Sequence, residues 1–192
     1  VLKHENDSAN GVKWYAYNEA AVDTPWFNDA PYVDTLNKKA IEKFIETTHE
    51  KYYEQFGEDF GKTIPAIFTD EPQFAVKGTL AFATEVKDVF LPWTNEFPQK
   101  FEELCGFDIL DSLPEVFWEL EGNKPSYTRY KFHDFVTEQF VSSYCDTIGK
   151  WCDAHDLPLT GHMMEEPTLH SQTAALGEAM RSYRSFRLPG ID

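Results

Sequence analysis

The chain has 192 residues, of which 42% are hydrophobic and 16% aromatic, and its formal net charge is −16. One domain of this size and apolar content can bury a real core, which excludes a disordered polyelectrolyte. Acids outnumber Lys and Arg by 33 to 17, which argues against nucleic acid or an anionic membrane surface as partner; no run approaches the ~18 apolar residues of a membrane span.

In chain order, Val12–Tyr17 alternates with β propensity and is expected as a strand. Pro25 and Pro31 then break regular structure. Tyr32-Val33-Asp34 reads as a short strand end that brings Asp34 to the same rim as the acids discussed below. The first clear helix is expected over Lys38–Phe56, capped by Asn37 and ended by a left-handed Gly57. Its stripe is Ile41, Phe44, Ile45, Thr48, Tyr52 and Phe56. A strand over Ile64–Phe68 follows, and its continuous apolar run predicts burial on both faces, as in a parallel sheet.

Residues 73–125 are long for a βα connection and read as a helical insertion, with pieces at Asn95–Leu104, capped by Thr94, and at Leu113–Leu120. The second long helix is expected over Tyr127–Ala154. A strand follows over Leu157–Met164, then a helix over 171–184 and the approach to another strand at Leu188–Asp192. Strands alternating with helices imply parallel pairing. The fold expected is α/β: about half of a (β/α)8 TIM-barrel, with the helical insertion after the strand that ends at Glu71. A whole barrel needs about 250 residues, so residues 1–192 are expected to be a piece of a single catalytic domain. Exposed sheet edges in such a piece predict pairing with a second copy. Cys105, Cys145 and Cys152 have no metal-ligand spacing and are expected to be reduced; Cys145 and Cys152 lie about 10 Å apart along one helix. No signal-peptide pattern is present, and the sequence fixes no compartment.

Two strands end alike. Ile67-Phe68-Thr69-Asp70-Glu71-Pro72 and Gly161-His162-Met163-Met164-Glu165-Glu166-Pro167 both run from apolar residues into acid-Glu-Pro. Acids at the carboxyl ends of parallel strands gather on the catalytic face of α/β barrels. Two carboxylates across one cleft cleave a glycosidic bond: one protonates the leaving oxygen, the other activates water or attacks the sugar. Burial and mutual repulsion would keep the acid protonated. Glu71 and Glu166 are the catalytic candidates. Asp70, His162, Glu165, Asp34 and Trp93 are candidates for holding substrate, with Trp93, Trp118 and Tyr127 as stacking surfaces for a sugar. A solvated turn carboxylate and a satisfied core histidine are the plainer readings of Glu71 or Glu166 and of His162. His162-Met163-Met164-Glu165 also looks like a zinc half-site, but that spacing belongs on a helix.

Several pieces together resemble the catalytic barrel of glycoside hydrolase family 106, the α-L-rhamnosidase-like enzymes. They are Ile67–Pro72, Gly161-His162 followed by Glu166, Ser171-Gln172-Thr173, Met180-Arg181-Ser182-Tyr183 and Pro189-Gly190-Ile191-Asp192. The resemblance runs from about Tyr32 onward. It implies an inverting, calcium-dependent glycosidase with Glu71 as acid and Glu166 as base, acting on carbohydrate that ends in a deoxy sugar; no calcium ligand is assigned. Pro167 stands where the pattern has an Asp, and Glu165 is the neighbouring carboxylate. Inversion predicts carboxyl groups ~6.5–9.5 Å apart. Two rival readings remain: a carbohydrate-binding barrel without catalysis, and a metal-dependent hydrolase using His162 with Glu165 or Glu166.

Overall fold

The structure is a computed structural model that describes residues 14–74, 78, 80–82 and 85–192. Among these residues the fold is α/β: three parallel strands in an open sheet with helices packed on one face. The strands are β1 (Ile67–Asp70), β2 (Leu159–His162) and β3 (Leu188–Pro189), in spatial order β1-β2-β3. This arrangement is consistent with part of a barrel. The expected strand at Val12–Tyr17 is absent over Trp14–Tyr17, and Val12 and Lys13 lie outside the described residues.

The helix expected at 38–56 is two helices, α1 (Lys38–Thr47) and α2 (His49–Phe56). Asn37 caps α1 by accepting from the Lys39 amide at 3.1 Å. Thr48 breaks the run: its hydroxyl donates back to the Phe44 carbonyl at 2.6 Å, which competes with the helical ladder. Gly57 is not left-handed; it opens a short 3-10 turn, and the left-handed residue is Gly61. The insertion contains α3 (Phe97–Cys105) and α4 (Ile109–Ser112), followed by 3-10 turns. Thr94 does not cap α3 through its hydroxyl, which donates instead to Asp34. Phe97 and Phe101 of α3 pack on Phe132 and Phe135 with ring centroids 4.7–5.5 Å apart.

The long helix expected at 127–154 holds as α5 (Tyr127–Phe140) and α6 (Asp146–Ala154), joined by a π turn over Val141–Cys145. This element is buried almost all round in that middle stretch. The wide turn lets Ser143 and Tyr144 both face inward. The Ser143 hydroxyl and the Gln139 amide meet the Leu36 carbonyl at 3.0 and 2.7 Å. Tyr144 Oη meets Thr69 Oγ1 at 2.7 Å, tying β1 to the helix layer. The helix expected at 171–184 is α7 (Leu169–Ala175) and α8 (Ala179–Tyr183), parted by Gly177 at φ +89°. All three cysteines are free thiols.

The sheet is buried on one face only, against the expectation from the apolar run. Thr69 turns to the helices and is buried, while Phe68 is 60% exposed. β1 and β3 each have a partner strand on one side only, among the described residues. Register pairs Thr69 with Gly161 and Asp70 with His162. Gly161 sits at φ +133°, and a Cβ there would stand 2.0 Å from the Thr69 carbonyl oxygen. The Gly190 amide donates to the Gly161 carbonyl at 2.8 Å from the other side.

Replacement of Gly161 by Ala should therefore force the strands apart and cost about 3 kcal/mol or more. Gly122→Ala is the control: Gly122 is also left-handed, with no atom within 4 Å of a built Cβ, and should cost about 1 kcal/mol. Urea unfolding midpoints of the two variants measure the difference.

Candidate active site

Register delivers the acids. Because Asp70 pairs with His162, the residues after them leave the sheet side by side. The Glu71 amide donates to the His162 carbonyl at 3.2 Å. Both turns that follow are left-handed at a carboxylate residue, Glu71 at φ +45° and Glu165 at φ +58°. Such backbone in a non-glycine residue costs about 1–3 kcal/mol and gathers at functional sites.

Glu71, Glu165, Glu166 and Asp192 line one hollow of about 240 Å³, with Met163 and Met164 as its apolar part. Glu166 is the most firmly held acid. Its Oε1 accepts from the Met163 amide at 2.9 Å and from the Tyr183 hydroxyl, and its Oε2 accepts from the Asp192 amide at 3.4 Å. Partial burial pushes the Glu166 carboxyl up, but these hydrogen bonds, Tyr183 first, together hold it below its ordinary value. Tyr183 is pushed up in turn, by burial and then by donating to this carboxylate.

The turn that carries Glu165 and Glu166 is braced from α7. Ser171 Oγ donates to the Glu165 carbonyl at 3.1 Å, and Gln172 Nε2 to the Glu166 carbonyl at 2.9 Å. Arg181 pins α8 to α5 through Asp134 at 3.0 Å and Glu138 at 3.5 Å, which sets Tyr183 in reach of Glu166.

His162 Nε2 lies 3.1 Å from Asp70 Oδ1, and its ring stands edge-on to Phe68 with centroids 5.7 Å apart. Its side chain is 15% exposed, that of Asp70 77%. His162 Nδ1 is buried without a hydrogen-bond partner. A ring nitrogen of His162, a carboxylate oxygen of Glu71 and one of Asp192 all lie within 4.8 Å of one another. Calcium takes six to eight oxygen ligands; a trio with an imidazole does not fit the calcium that the sequence resemblance implies.

Of the residues singled out in sequence, Glu71, Glu165, Glu166, His162 and Asp70 come together at this rim. Asp34 does not line the hollow: its Oδ1 accepts from the Leu36 amide at 3.1 Å and its Oδ2 from Thr94 Oγ1 at 2.7 Å, tying a turn to the insertion. Trp93 stacks on Phe97 at 4.4 Å, Trp118 meets Trp14 edge-on at 4.8 Å, and exposed Tyr127 lies beside Lys131; none of the three rings lines the hollow. The zinc half-site spacing is not realised, since His162 is in a strand and Glu165 in a left-handed turn. Tyr183 and Asp192 were missed as site residues. Both sit in the sequence pieces that carry the family resemblance, and that was the signal available.

No protein-family model and no curated protein matches the chain. Among solved structures, it is similar to a rhamnosidase from Novosphingobium sp. PP1Y, with a TM-score of 0.56 and 17% identity over 81% of this chain. The chain spans 13% of the length of that rhamnosidase. At that identity the likeness is one of fold.

Removal of the Tyr183 hydroxyl should release Glu166 toward its ordinary value. A carboxyl depressed in the folded state stabilises the fold fully above the unfolded value, about pH 4.3 for Glu, and that stability is lost as pH falls through the folded value. In Tyr183→Phe the Glu166 titration should move up, and the stability lost on acidification should be smaller and complete at higher pH. Carbon-13 NMR titration of the Glu166 carboxyl, beside acid unfolding of both proteins, measures this.

Proposed function

We propose that the chain is about half of a (β/α)8 glycoside hydrolase barrel of the α-L-rhamnosidase-like kind, working by inversion. The observation that carries this reading is that Glu71 and Glu166 leave the carboxyl ends of two adjacent parallel strands and face one hollow. The fold likeness to a rhamnosidase supports it at the level of architecture.

In this reading Glu71, protonated, gives its proton to the leaving glycosidic oxygen as the bond to the anomeric carbon breaks. Glu166, held ionised by Tyr183 and two backbone amides, takes a proton from the water that attacks the opposite face of the sugar. The apolar Met163 and Met164 beside the acids suit the methyl group of a 6-deoxy sugar better than a hydroxymethyl group, which favours a terminal deoxy sugar as the residue released. Asp70, His162 and Glu165 are placed to hold hydroxyls at the rim.

The test uses two leaving groups in the whole protein. Glu166→Gln should lower kcat/KM by about 10²–10⁴ on both an alkyl and a dinitrophenyl α-L-rhamnoside. Glu71→Gln should do so on the alkyl glycoside and far less on the dinitrophenyl one, which leaves without a proton. Equal loss on both for Glu71→Gln removes it as the acid, and binding of rhamnosides without turnover in the parent favours a carbohydrate-binding barrel instead.

The open edges of β1 and β3 and the exposed Phe68 also favour pairing of the 192-residue chain with a second copy. Light scattering should give twice the chain mass; a monomer at micromolar concentration overturns that pairing.

A further inference from the structure

We infer that Glu71, His162 and Asp192 form a binding site for a divalent transition metal ion of the zinc and cobalt class, and that its occupation switches the proposed acid off. The three donors come from three separate places: the end of β1, the end of β2 and the segment after β3. Their ligand atoms already lie within 4.8 Å of one another, a spread that one ion at the ordinary ~2.0–2.2 Å bond length can gather with small side-chain movements. Gly161 permits the convergence, because β1 and the segment at Gly190 both close on it.

The second observation is the state of the imidazole. Asp70 takes the Nε2 side of His162 at 3.1 Å, and Nδ1 is buried with no partner. A carboxylate on one ring nitrogen is the arrangement that orients metal-ligating histidines, since it fixes the tautomer and leaves the lone pair on the other nitrogen. A buried nitrogen lone pair without a partner is costly, and a ring nitrogen of His162 lies within 4.8 Å of the Glu71 and Asp192 carboxylate oxygens that a cation there would share. One imidazole and two carboxylates select borderline metals such as Zn²⁺ or Co²⁺; Ca²⁺ and Mg²⁺ prefer oxygen-only sets.

The second half of the inference rests on the hydrolase reading. A metal ion bound to Glu71 keeps that carboxylate ionised, so Glu71 has no proton to give. Zn²⁺ is then a reversible inhibitor that acts on the acid and leaves Glu166 with its three donors.

The test titrates Co²⁺ into the 192-residue chain and follows its visible d–d absorption, a readout independent of activity. One equivalent should bind, with an intensified band that signals nitrogen in a low-coordinate site, and a hundredfold excess of Ca²⁺ should not displace it. His162→Gln and Asp192→Asn should each weaken Co²⁺ about tenfold or more, with circular dichroism confirming the fold. Asp192→Asn keeps the backbone amide that serves Glu166, so it removes the donor without freeing that acid. Unchanged binding in both variants, or displacement by equimolar Ca²⁺, overturns the site. In the whole protein, micromolar Zn²⁺ should inhibit hydrolysis of an alkyl rhamnoside and spare the dinitrophenyl one, and chelator should restore activity. Equal inhibition of both substrates overturns the switch, while absence of any turnover in the metal-free protein, with Co²⁺ still bound, sinks the hydrolase reading and leaves the metal site standing.

Discussion

A missing side chain sets the geometry of the sheet's carboxyl end. Gly161 lies between the Thr69 carbonyl oxygen, 2.0 Å from where a Cβ would stand, and the Gly190 amide, which donates to the Gly161 carbonyl at 2.8 Å. Only glycine accepts φ +133° there without severe strain. Three chain segments meet at this point, and each carries a polar side chain one or two residues further on. Asp70 and Glu71 follow Thr69, His162 follows Gly161, and Asp192 follows Gly190. A substituent at 161 would separate them all at once.

The helix layer fixes the other side of the same strands. Thr69, the residue opposed to Gly161, hands its hydroxyl to Tyr144 at 2.7 Å, and Tyr144 is turned inward by the π turn that interrupts the long helix. Burial drives the Tyr144 phenol well above its ordinary value, so it stays neutral and the bond is between neutral partners. The inner face of β1 is thus locked to the core, while its outer face shows Phe68 and Asp70 to solvent. That asymmetry is consistent with part of a barrel-like fold. The strand's apolar sequence suits a face that another layer covers, and among the described residues no layer covers it.

Much of this was legible in sequence, and the misses have physical causes. The two acid-Glu-Pro endings marked where two parallel strands lie, although those strands run over Ile67–Asp70 and Leu159–His162 rather than over the expected Ile64–Phe68 and Leu157–Met164. Helix existence was legible, for the first from the stripe at Ile41, Phe44 and Ile45; the interruptions of the two long helices were not. Thr48 broke the first helix by bonding back to Phe44, and the second was widened at Val141–Cys145 by contacts with Leu36 and Thr69, more than 70 residues away in sequence. Asp34 and Trp93 looked like site residues by type, but tertiary partners engage both: Thr94 for the carboxylate and Phe97 for the ring. Asp192 is not singled out by residue type alone, since the pairing of β3 with β2 is what brings its carboxylate near Glu71.

The two glutamates differ in how the fold treats them. Glu166 receives a phenol and two backbone amides. Each of these donors favours the charged carboxylate, so the fold itself maintains a base. Glu71 projects from a left-handed turn whose only bond given by its backbone amide goes to the His162 carbonyl, and its carboxylate lies among Asp192 and a ring nitrogen of His162. In the proposed reading, a pair in which one carboxylate is held by fixed donors and the other lies open at the hollow has the asymmetry that acid–base hydrolysis uses.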